Sequence, residues 1–216
     1  MIRRTRLTVV AVAALGLLLA GCGGSHDMDD MGMASPSSTT GASAADAMFA
    51  QMMIPHHQQA VEMSTLAETR ASSPEIKELA TEIKGAQQPE IDQMTAWLEE
   101  WGMPVMSGMD AMGEHGGHGM SGMLTDEQMQ QLSDAQGPEF DRLFAEFMIL
   151  HHEGAIDMAE DVVDSKDPRV AALAQAILTT QAEEIAQMRA FLDGPANAAE
   201  GDASASPSVN ERSSAL

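Results

Sequence analysis

Two stretches of this chain repeat each other, and the repeat limits the possible folds more than any other feature. Phe49-x-x-x-Met53-Ile54-x-His56-His57-x-x-Ala60-Val61-Glu62-Met63 aligns with Phe144-x-x-x-Met148-Ile149-x-His151-His152-x-x-Ala155-Ile156-Asp157-Met158. Downstream, Pro74 to Leu98 aligns with Pro168 to Leu192 through Leu79/Leu173, Ile83/Ile177, Gln87/Gln181, Glu90/Glu184, Ile91/Ile185 and Met94/Met188. Apolar residues recur at three- and four-residue steps over stretches too long for strands, so each unit reads as two helices. Ser73-Pro74 and Asp167-Pro168 each put a capping side chain before a proline, a start signal for the second helix of each unit. Two hairpins that each expose an apolar stripe bury it against one another. The expectation is an all-α four-helix bundle over 46–192, with repeat one at 46–101, an insertion at 102–123, a short helix at 124–136 and repeat two at 138–192. Pro89 is expected to kink the second helix near Gly85.

On a helical wheel Phe49, Met52, His56, Ala60, Met63 and Ala67 share one stripe, as do Phe144, Phe147, His151, Ala155, Met158 and Val162. His57 sits about 100° round the helix from His56. Gln87, Glu90 and Met94, with Gln181, Glu184 and Met188, lie on or beside the stripes of the other two helices. Burying so many polar groups costs free energy unless they are paired or ligate something. One reading is core histidines hydrogen-bonded to a partner such as Glu90 or Gln87, with Met94 and Met188 as packing. The other, favoured by the paired and repeated His-His, is a metal site.

These runs, Met-Ile-Pro-His-His-Gln-Gln-Ala-Val-Glu-Met at 53 to 63 and Phe-Met-Ile-x-His-His-x-Gly-Ala-Ile-x-Met at 147 to 158, resemble the bacterial family called domain of unknown function 305. The resemblance covers residues 46 to 192. It implies a ferritin-like helical bundle and, from periplasmic members, an association with copper binding and resistance. The family's histidine and methionine positions carry over onto His56, His57, Met63, His151, His152 and Met158. Leu150 departs from the pattern, standing where the first repeat has Pro55.

The insertion carries a second set of ligand-type residues. Met103, Met106, Met109 and Met112 recur every three residues, followed by His115, His118, Met120 and Met123 among many glycines. So many glycines oppose a helix or a packed core, which removes the usual packing explanation for a methionine stripe. Thioether sulfur is a soft ligand that selects Cu(I), while imidazole serves both copper oxidation states.

At the N-terminus, Arg3, Arg4 and Arg6 precede an apolar run from Leu7 to Ala20, the shape of a signal peptide over 1–21. Leu19-Ala20-Gly21-Cys22 resembles a lipobox, so Cys22 is expected to become the lipidated end of the mature chain. Cys22 is the only cysteine, and its lipidation leaves His, Met, carboxylate or backbone as the available ligands. Residues 22–45 read as a flexible tether and 193–216 as a disordered tail.

Removing the leader takes three arginines, so eight Lys and Arg face thirty-three Asp and Glu, a net charge of −25. Nucleic acid is an improbable partner for such a chain. The sequence therefore points to an exported lipoprotein, anchored on the outer face of the cell membrane, that sequesters, buffers or hands on copper. Two alternatives stand beside it. A ferritin-like di-iron oxidase wants Glu-x-x-His motifs that the His-His helices lack, which counts against iron. A helical interaction module would need no metal. No residue pattern suggests nucleophilic catalysis, a phosphate loop or a nucleotide site.

Overall fold

The structure, a computed structural model, describes residues 42–106 and 121–194. Cys22, Met109, Met112, His115, His118 and Met120, with the leader, most of the tether and most of the tail, lie outside these residues. Five helices are present among them: α1 Ala44–Arg70, α2 Pro74–Trp101, α3 Asp126–Asp134, α4 Pro138–Glu160 and α5 Pro168–Leu192. None of these helices is long and apolar enough to cross a membrane. α1 packs along α2 and α4 along α5, and the two hairpins meet through α1 and α4.

The capping signals act where the sequence places them. Ser73 accepts hydrogen bonds from the backbone of Glu75 and Ile76 and Asp167 from that of Arg169, with Pro74 and Pro168 opening the helices. α1 begins two residues before position 46, because Ser43 and Asp46 form a reciprocal capping box. α3 is likewise started by a Thr125/Gln128 box, and Gly102 ends α2 in the left-handed conformation at φ 69°. α2 continues unbroken through Gly85 and the solvent-facing Pro89.

A second repeated device holds the hairpins together. Asp141, at the start of α4, accepts the backbone N–H groups of Ser72 and Ser73 at 3.0 and 2.8 Å, and the Ser72 hydroxyl as well, fixing the turn between α1 and α2. Asp46, its counterpart at the start of α1, accepts the Ser165 hydroxyl at 2.6 Å from the turn between α4 and α5. Each hairpin thus clasps the other's turn with a buried carboxylate, and the charge is compensated by donors rather than by a cation.

The interior consists of two apolar clusters. One gathers Ala60, Met63, Ile76, Ile83, Phe140 and Phe144; the other gathers Phe49, Met53, Trp97, Leu98, Val170 and Ile177. Every long helix passes from one cluster to the other, and at the crossing each carries polar residues. These are His56 and His57 in α1, Gln87 and Glu90 in α2, His151 and His152 in α4, and Gln181 and Glu184 in α5. The bundle therefore has a polar layer between two hydrocarbon halves, built by the repeat.

Candidate metal centre

All four histidines of this layer are fully buried. At their level α1 is enclosed on every side, since Met53 through His57 are all buried in succession. His57 and His152 sit against the neighbouring helix of their own hairpin: His57 Nε2 lies 2.8 Å from a Glu90 carboxylate oxygen, and His152 Nε2 lies 2.7 Å from Glu184. His56 and His151 instead face each other across the hairpin interface, with ring centroids 3.8 Å apart and planes tilted by 38°. The repeat creates this pairing, because equivalent residues on antiparallel helices meet near the pseudo-twofold axis.

The tautomers follow from the partners. A carboxylate or a carbonyl only accepts, so Nε2 of His57 and His152 carries the proton, as does Nε2 of His56, which donates to the Ser121 carbonyl at 3.0 Å. Nδ1 of these three rings and both ring nitrogens of His151 are buried without a hydrogen bond. Burial, followed by the neighbouring His57, pushes His56 from 6.5 down to about 3, and burial with His56 beside it pushes His151 well below the usual range. A neutral imidazole whose distal N–H is tied to a carboxylate or carbonyl is the form in which histidine binds metals. The donor chemistry therefore fits a metal ion. Among the described residues no group of three or more His, Cys, Asp or Glu is placed to hold one, and the closest approach of two imidazoles is that of His56 and His151.

Gln87 and Gln181 complete the layer. Both amide atoms of Gln87 and the oxygen of Gln181 are buried without a partner. They border, with Glu90 and Glu184, a cavity of about 10 Å³ between α2 and α5.

A feature the histidine pattern does not reveal is a strap over this layer. Residues 121–124, the end of the insertion, cross α4 at Gly154. A Cβ built on Gly154 would lie 2.0 Å from the Ser121 carbonyl oxygen, and one on Gly122 would lie 2.5 Å from that of Leu150. Only glycine allows this approach, and Gly122 also takes the left-handed conformation at φ 78°. Gln59 clasps the strap from α1, its amide donating to the Leu124 carbonyl at 3.1 Å and accepting the Leu124 N–H at 2.8 Å. The other described end of the insertion is tied to α1 too, by Gln51 donating to the Pro104 carbonyl at 2.9 Å. Both ends therefore lie on α1, on either side of His56. Gln59 and Gly154 occupy equivalent places in the two repeats, so their mismatch within matching surroundings was the available sign of something crossing there.

The methionines are distributed differently. Met63, Met94 and Met188 are fully buried within the apolar clusters, one to two helical turns in sequence from the polar residues of the histidine layer. Met103 is exposed and Met106 half-buried at the start of the insertion. Met123 lines a cleft of about 320 Å³ beside the strap, together with Glu153 and Asp157. Met158 is half-buried in a surface groove with Met48 and Met52 rather than against the histidines.

The model of the family described as a domain of unknown function, DUF305, matches residues 46–192. The chain belongs to the DUF305 family. A DUF305 protein from Streptomyces coelicolor is 35% identical over 69% of this chain and 92% of its own, with a TM-score of 0.63. A DUF305 fragment from Deinococcus radiodurans is 31% identical over 70% of this chain and 97% of its own, with a TM-score of 0.62. CopM in its Cu(II)-bound form is 37% identical over 68% of this chain and 95% of its own, with a TM-score of 0.59, and CopM has also been solved in Cu(I)-bound and silver-bound forms. An uncharacterized protein of Acanthamoeba polyphaga mimivirus is 44% identical over 55 residues, and this chain spans about a third of its length, 36%. The all-α bundle and the DUF305 membership expected from the sequence both hold.

Proposed function

We propose that this DUF305 protein binds copper outside the cytoplasm, anchored to the outer face of the membrane through a lipidated Cys22, and sequesters, buffers or hands on the metal. The observation that carries the reading is the buried His56/His151 pair, kept neutral and flanked by two further imidazoles that Glu90 and Glu184 orient. His56, His151, His57 and His152 would supply nitrogen. The insertion, whose described ends sit on either side of His56, would supply thioethers from Met103, Met106, Met109, Met112, Met120 and Met123, with His115 and His118. Imidazole and thioether together suit Cu(I) and Cu(II) better than iron, which draws on carboxylates. Here the two carboxylates of the layer are engaged by histidine. The copper- and silver-bound forms of CopM, a relative of this chain, support the same choice.

A competition titration with a chromogenic Cu(I) chelator, run anaerobically at pH 7, tests this. Burial keeps His56 and His151 neutral, so the pair can bind without first losing a proton. The His56→Gln/His151→Gln variant should bind less Cu(I) than the parent protein. Leucine at the six insertion methionines should remove a separate share of the binding while leaving the helix content intact. Cu(I) binding that matches the parent protein in both variants would rule the proposal out.

A further inference from the structure

A groove of about 130 Å³ lies between the first turns of α1 and the last turn of α4, walled by Phe49 and Val162 and lined by Met48, Met52, Met158 and Asp161. Met48 and Met52 are one helical turn apart and so share a face of α1. The repeat provides an internal comparison for them. Leu143 and Phe147 occupy the equivalent positions in α4, where they are buried in the apolar core. In the first repeat the same register opens to solvent, with Met48 53% exposed, and there hydrocarbon is replaced by sulfur twice. Packing does not require that exchange, because leucine fills the equivalent place; sulfur adds the capacity to bind a soft cation. Asp161, at the C-terminal end of α4, lines the same groove as the three methionines.

We infer that Met48, Met52 and Met158 form a surface site for a monovalent soft metal ion, Cu(I) or Ag(I), with Asp161 offsetting its charge. The site is separate from the histidine layer and from the insertion. Its donors are reachable from solvent without opening the bundle, which suits it to take up an ion that is then exchanged with other ligands.

Silver, which stays monovalent, is the probe. In the protein labelled with 13C at methionine methyls, the resonances of Met48, Met52 and Met158 should shift together on Ag(I) addition and saturate at a common equivalent. The same three should still shift in the His56→Gln/His151→Gln variant and in the variant with leucine at the six insertion methionines, which separates this site from the one proposed above. Met48→Leu/Met52→Leu/Met158→Leu should bind one Ag(I) equivalent fewer than the parent. Three methyls that stay still, or that move at unrelated silver concentrations, overturn the inference, as does an unchanged silver stoichiometry in the folded leucine variant. Should that variant not fold, the methyl shifts of the parent protein decide.

Discussion

Replacing Gly154 with alanine is expected to destabilise the protein by about 2–5 kcal/mol, although alanine is the better helix former. The added Cβ would sit 2.0 Å from the Ser121 carbonyl oxygen and 2.7 Å from the Gly122 nitrogen, both backbone atoms that no rotamer change can move. The strap must lift. With it go the acceptor for the buried His56 N–H and the two-way clasp between Gln59 and Leu124. Gly85→Ala is the matched control. Gly85 is exposed within α2, with nothing within 4 Å of a built Cβ, so the same substitution there should stabilise by about 0.5–1 kcal/mol. Chemical denaturation reads both signs, and hydrogen exchange at the Leu124 amide reports the strap directly. A Gly154→Ala protein that keeps Leu124 protected would show that the strap does not depend on this crossing.

The second large effect is loss of stability in acid. In the unfolded chain imidazole titrates near 6.5, whereas in the fold His56 titrates at about 3 and His151 well below its usual value, both because burial disfavours the cation. Between those limits the unfolded state binds more protons, so stability is complete above about pH 6.5 and falls as the pH is lowered towards 3. A buried histidine that stays neutral contributes a slope approaching about 1.4 kcal/mol per pH unit below 6.5, so His56 alone removes roughly 2 kcal/mol between pH 6.5 and 4.5 in the metal-free protein, and His151 acts in the same direction. Denaturation midpoints measured across that window should show the slope, and His56→Gln/His151→Gln should flatten it. An equally steep loss in the double variant would place the acid-sensitive groups elsewhere.

Much of this architecture is legible in the sequence because each signal is local. Helical periodicity, Ser73-Pro74, Asp167-Pro168 and the duplicated His-His are read within a few residues of one another. The polar layer follows from the repeat, since four helices with polar residues at equivalent heights cross at one level. Partner choice across that layer is not local. That a core histidine bonds Glu90 is legible, but that His57 does so while His56 turns to His151 depends on which hairpin faces which. The strap lies further from view, because Ser121 and His56 are 65 residues apart and no periodicity links them. Its trace is the mismatch of Gln59 with Gly154. The fate of the methionines is equally non-local: Met63 and Met158 are equivalent in the repeat, yet one is sealed in a core cluster and the other borders a surface groove.

The most direct test of copper binding by the bundle is X-ray absorption at the copper K-edge, recorded on the Cu(I)-loaded protein and on its His56→Gln/His151→Gln variant. Copper held as proposed gives a mixed nitrogen and sulfur shell with the outer scattering of imidazole rings, and that imidazole signal is lost or strongly reduced in the variant. A shell of sulfur alone in the parent protein, or imidazole scattering undiminished in the variant, would contradict a role for the buried histidine pair in holding the metal.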